Sequence, residues 1–275
     1  MSMTFKITLT LLILIIISII ALPHILTTAG LHPKFTYDFD VPNFENKKAL
    51  IIATNHGTLN KPGETNGKPT GLFLSELSIP YFDLLKTNMS IDIASINGGF
   101  IPIEPVPWFI KAPEDKKLMN KLKNSLSIND LDFTDYDVVF LSGGWGAAYD
   151  LGFSELLATK ISEAYYDKTI IGAICHGVLG LINAKDKDGN LLISGRKMTG
   201  VTDKQLNQLG ISFTPQHPEE ELKKAGAIFM AQTKRIDIFA SMTVVDDEKK
   251  FVTGQNQNSG HETIYEIIKI LSNND

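Results

Sequence analysis

A chain of 275 residues is long enough for one large or two small domains with a full hydrophobic core. Its 43% hydrophobic and 21% charged residues are ordinary for a globular protein, and a net charge of -5 without a long basic run argues against nucleic acid as a main partner. Six scattered histidines and one cysteine offer no CxxC or HExxH spacing, so no metal is expected and no intramolecular disulfide can form.

The amino terminus departs from that ordinary picture. Ile7 to Leu22 is a run of sixteen residues without a charge, preceded by Lys6 and followed by Pro23. Its length and lack of a polar face favour an uncleaved anchor or an export signal over a core helix. Thr27-Thr28-Ala29 offers a weak cleavage site before Gly30. The positive charge ahead of the run places the remainder outside the cytoplasm. Residues 1–30 are therefore read as an anchor or signal segment and residues 31–48 as a linker or surface-packed arm. Residues 49–271 are read as an α/β domain.

That domain opens with an all-apolar strand at 49–54, followed by a polar loop to Pro69 that contains His56. Apolar spacing predicts a helix over 71–86, with Pro80 in its first turns or at a kink. A second strand is predicted at 90–95, a proline-rich excursion at 102–113 and a helix over 116–128. Residues 136–141 form another buried strand, followed by Ser142-Gly143-Gly144-Trp145-Gly146 and a helix at 154–166. Ile170 to Ile174 is a β-branched strand that breaks at Cys175-His176-Gly177 and continues in a helical pattern. A short strand at 198–202, a helix at 218–224, a hairpin of 243–245 with 251–253 and a helix from 259 to 271 complete the chain. Strands alternating with helices at this spacing predict a doubly wound, mainly parallel sheet.

The chemistry gathers at the carboxyl ends of strands, where open α/β sheets place their sites. Cys175 at a strand-to-helix corner is a nucleophile elbow, held on a sharp turn with the next amides aimed at whatever it attacks. Those amides and the adjacent His176 are expected to bring the thiol below the 8.5 or so of free cysteine. The glycines after Ser142 let a backbone amide approach a developing oxyanion. Gly144-x-Gly146 lacks the third glycine of a phosphate loop, so no cofactor is expected.

Four stretches in this order resemble one family: 69–76 (PTGLFLSE), 140–144 (FLSGG), 173–177 (AICHG) and 251–256 (FVTGQN). Together they are similar to the PfpI/ThiJ superfamily, of class I glutamine-amidotransferase-like and flavodoxin-like fold, closest to its heat-shock chaperone and glyoxalase III branch. The resemblance covers roughly residues 49–271. It implies that Cys175 is the nucleophile, that Glu76 is a buried, protonated carboxyl beside it, and that the backbone of Gly144 and His176 holds the oxyanion. It also implies a cofactor-independent enzyme acting on a small carbonyl compound, a 2-oxoaldehyde or its adduct, in a family that is commonly dimeric.

Two positions depart from the branch pattern. Trp145 stands where a histidine is usual, and Leu206 where an acidic partner for the histidine is usual, which leaves Asp203 as the candidate orienter of His176. Trp145 and His56 are the expected pocket residues. His261 is read as a surface residue, and His217-Pro218-Glu219 as the lead into a helix rather than an amidotransferase motif. The alternatives are a non-catalytic stress-response holdase of the same fold and a cysteine peptidase or amidase, which would need an oriented triad.

Overall fold

The computed structural model describes residues 3–31 and 33–273. Met1, Ser2, His32 (within the expected arm), Asn274 and Asp275 lie outside the described residues, as does the side chain of the flanking Lys6. Helix α1, Met3–Ala29, is predominantly apolar. It contains a stretch, Ile7–Ala29, long and apolar enough to cross a membrane, with none of its most apolar window buried.

Seven strands form the central sheet: β1 (Lys48–Ala53), β2 (Ser90–Ser95), β3 (Leu126–Ser127), β4 (Val138–Leu141), β5 (Ile170–Ile174), β6 (Thr243–Val245) and β7 (Phe251–Gly254). Their spatial order is β6-β7-β5-β4-β1-β2-β3. Only β6 runs antiparallel, paired to β7 as the expected hairpin. The central strands carry unbroken apolar runs, Ala49 to Ala53, Val138 to Leu141 and Ile170 to Ile174, because both faces of the sheet are covered. Along β1, Ala49, Ile51 and Ala53 point into one core, which includes Leu77, Tyr81 and Leu84 of α2 (Ser75–Leu85) and Leu118 and Leu122 of α3 (Lys116–Lys123). Leu50 and Ile52 point into the other core, with Leu157 and Ile161 of α4 (Glu155–Tyr166). Period-two alternation thus divides one apolar run between two helical layers, as the doubly wound reading requires.

Several expected elements differ in extent. The helix over 71–86 is shorter, because Leu72 is drawn to the excursion, its N–H donating to the Pro102 carbonyl and its carbonyl accepting from Glu104 N–H, while the Gly71 carbonyl accepts from Gly146 N–H. Pro80 lies in the interior of α2 and has no N–H for the Glu76 carbonyl. The helix over 116–128 stops at Lys123, since Leu126 and Ser127 pair with Ala94 and Ser95 at the sheet edge. The strand at 198–202 shrinks to Lys197–Met198. A helix that periodicity did not reveal follows it, α5 (Asp203–Leu209), with the Thr202 hydroxyl accepting from Gln205 N–H and Gly210 in the left-handed conformation that ends it. Next come α6 (Pro218–Lys224) and α7 (Gly260–Asn273).

The arm is packed on the body. Phe35, Tyr37 and Phe39 form a ring cluster with Tyr265 of α7, and Phe35 stacks on His261. His261 itself meets the buried carboxylate of Asp83 at 2.5 Å, at the surface as expected.

Candidate functional site

The strand-to-helix corner after β5 holds Cys175 with φ of 56°, a conformation that a side chain with a Cβ rarely adopts. The strain is borne by the parallel strands on either side and by a 3-10 turn, Cys175–Leu181, which replaces the expected α-helical continuation. The sulfur is buried, and the amides of His176 and Gly144 both point at it. Gly144, after β4, has φ of 100°, and a Cβ there would sit 2.3 Å from the Gly71 carbonyl and the Phe73 amide. Glycine is therefore required for the amide to reach the thiol.

Glu76, in the first turn of α2, is 1% exposed and lies against Gly143 so closely that a Cβ on Gly143 would come 2.4 Å from its Oε2. Burial pushes its carboxyl well above the usual range, and the nearby Glu104 adds to this. The Cys175 thiol and the Gly144 and Gly143 amides act in the opposite sense. Burial also pushes the Cys175 thiol up, with the Glu76 charge next in size and the His176 and Gly144 amides opposing. The thiol is thus not lowered below free cysteine as the elbow suggested: complete burial outweighs the amides. Burial thus disfavours the charged form of both groups, and the charge of either one further opposes ionisation of the other.

His176 Nδ1 lies 3.5 Å from the sulfur, and its buried Nε2 has no hydrogen-bond partner. Burial, reinforced by His217, lowers its pKa to about 3, so the ring is neutral at physiological pH. Asp203 does not orient it. Its carboxylate is turned to the start of α6, 3.8 Å from His217 Nδ1, while its amide donates to Glu219. The reason is local: Asp203 is the first residue of α5, capped by Thr202, which directs its side chain away from the elbow. His217 precedes α6 as expected. His56 is likewise absent from the cavity. Its ring stacks on Tyr149 at 4.2 Å and its Nε2 bonds the Thr58 carbonyl, so the side chain is spent holding its own loop.

A cavity of about 270 Å³ brings together Glu76, Gly144, Trp145, Cys175 and His176 with one residue that sequence reasoning missed, Glu104. Glu104 N–H donates to the Leu72 carbonyl, which fixes the proline-rich excursion over the pocket. Its carboxylate accepts from the Trp145 backbone N–H at 3.4 Å and from the Trp145 indole, whose ring packs 4.8 Å from His176. Burial raises its pKa to about 7, against those two donors. The sequence signal was present: a lone carboxylate in the otherwise apolar stretch 100–110. Among the described residues, no cluster of three or more His, Cys, Asp or Glu residues comes together to hold a metal ion.

The fold and site define a class: a doubly wound α/β protein with a buried cysteine on a strained elbow, paired with a buried carboxyl whose ionisation is disfavoured. The chain belongs to the DJ-1/PfpI family, whose model matches residues 71–270. It is 32% identical to Glyoxalase 3 of Candida albicans over 80% of this chain and 97% of that protein. It is 27% identical to the glutathione-independent glyoxalase HSP31 of Saccharomyces cerevisiae over 82% and 99% of the two chains. Among solved structures, the Rapid Encystment Protein 24 KDa of Francisella tularensis superposes with a TM-score of 0.73 at 32% identity, covering 82% of this chain and 99% of that one.

Proposed function

We propose that this chain is a cysteine-dependent, glutathione-independent enzyme of the glyoxalase III type, converting a 2-oxoaldehyde and water to a 2-hydroxy acid. The observation that carries the reading is the convergence of Cys175, Glu76 and the Gly144 and His176 amides in one cavity. The Cys175 sulfur adds to the aldehyde carbon to give a hemithioacetal, and its oxygen is held by the two amides. The hydrogen on that carbon leaves as a proton and returns to the neighbouring carbonyl carbon through an enediol. The aldehyde carbon is thereby oxidised and the ketone reduced, leaving a thioester. Water then cleaves the thioester, releasing the acid and the thiol. Glu76 donates and recovers protons at the substrate oxygens, while Glu104 is ionised for part of the time near neutrality and is suited to accept the carbon-bound proton. An amide-cleaving triad is not supported, since no carboxylate orients His176.

We read residues 1–30 as a membrane anchor, residues 31–48 as the arm that fastens it to the body, and residues 49–271 as the catalytic domain outside the cytoplasm. The charge-free run, the exposed α1 and the arm's aromatic packing support this. The test of the enzymatic reading is lactate formation from methylglyoxal without glutathione, abolished in Cys175→Ala. Undiminished turnover in that variant would refute it.

A further inference from the structure

The cavity is far larger than methylglyoxal, with its single methyl group, requires. Beyond the reacting residues its wall is almost wholly apolar, built from Leu31, Val106, Pro107, Ile110, Leu209 and Ile238. One of these has an unusual origin. Leu31 is 5% exposed and follows α1 by only two residues, and Leu31 N–H donates to the Leu26 carbonyl of that helix. Gly30 between them abuts Phe239 and Lys234 of the body. The end of the apolar helix is therefore part of the pocket mouth.

Geometry makes this decisive. Two extended residues span at most about 7 Å. A helix of 27 residues rises about 40 Å, close to the thickness of a bilayer with its headgroup regions. The mouth must then lie in the headgroup layer whenever α1 spans the bilayer. The surface around it suits that layer: Trp108, Leu209 and Ile236 are exposed there, with Lys234 and Arg235 alongside. Solvent-facing apolar residues around a pocket mouth of a soluble enzyme would have no such environment to meet.

We propose that the site takes 2-oxoaldehydes carrying a hydrocarbon tail, which reach Cys175 from the bilayer interface with the tail lying against Leu31, Val106, Ile110 and Leu209. The inference rests on the glyoxalase and anchor readings above and names the substrate class they left open.

The experiment uses the full chain in phosphatidylcholine vesicles. It measures kcat/KM for methylglyoxal and its homologues with butyl, hexyl and octyl tails. Alongside, it measures how well acetone and 2-undecanone protect Cys175 from iodoacetamide. Referred to the aqueous concentration of each compound, every added methylene is expected to raise kcat/KM about fourfold until the cavity is filled, and 2-undecanone is expected to protect at aqueous concentrations at least about tenfold below acetone. Leu209→Asp should flatten the series. A flat or falling series with methylglyoxal turnover still dependent on Cys175 would overturn the inference and leave the glyoxalase reading standing. Absence of turnover for every homologue would refute the glyoxalase reading, and the ketones would then decide alone: preferential protection by 2-undecanone sustains the apolar subsite, equal protection overturns it. Recovery of the full chain in the supernatant, free of vesicles, would overturn delivery from the interface.

Discussion

At the scale of single residues, the site is a set of groups held away from their ordinary ionisation by burial. Glu104 rises from the ordinary 4.5 to about 7 in the folded state. The native state thus binds this proton more tightly than the unfolded one, so the stability associated with it is full below about pH 4.5 and is lost as pH rises through about 7. Glu104→Gln should therefore be more stable than the parent at pH 8, by at most about 3 kcal/mol, and equal to it at pH 4. Urea denaturation at the two pH values measures this, and a difference of the opposite sign would contradict the burial argument. For Cys175, alkylation by iodoacetamide should have its midpoint above the 8.5 or so of free cysteine. Glu76→Gln retains a hydrogen-bond donor beside the sulfur but cannot exchange a proton. That midpoint should fall in the variant, because the Glu76 charge that helps to hold the thiol up is gone, and turnover should fall by about 10²-fold or more. A variant with near-normal turnover would remove Glu76 from the proton path. The sequence made Cys175, Glu76, Gly144 and Trp145 legible because each sits in a contiguous motif. Glu104 stood out only as a lone carboxylate among apolar residues, and its place over the pocket was not legible, since that is set by the Leu72–Pro102 hydrogen bond, a contact between distant segments.

At the scale of elements, the strands and their order of alternation were readable because burial on both faces leaves unbroken apolar runs. Helix ends were less readable. Periodicity carried α3 past Lys123 because it could not register that Leu126 and Ser127 have a parallel partner waiting in β2. Helix α5 escaped for the opposite reason, as a seven-residue element with only Leu206 and Leu209 as apolar residues. Its end signals were present in Thr202-x-x-Gln205 and Gly210. The Thr202 hydroxyl caps α5 and also donates to the buried Asp237 carboxylate at 3.1 Å. Thr202→Ala should cost about 1–2 kcal/mol, and Thr202→Ser should restore most of it. An unchanged urea midpoint for the alanine variant would show that neither bond stabilises the fold.

At the scale of the whole molecule, the body and the apolar helix are distinct in their energetics. The two cores are closed without α1, whose most apolar window buries nothing. A chain beginning at Leu31 should remain soluble without detergent and unfold in one cooperative transition, as checked by coincident fluorescence and circular dichroism curves. Aggregation of that chain at micromolar concentration would show that the helix completes the fold. The sheet itself has a further consequence at its borders. It ends on one side in β3, two residues long, and on the other in β6, three residues long. An incoming strand would find almost no row of free amides and carbonyls to zip against. Copies crowded together on one surface are thus kept from stacking sheet to sheet, and any self-assembly of this chain has to be made by helices and loops.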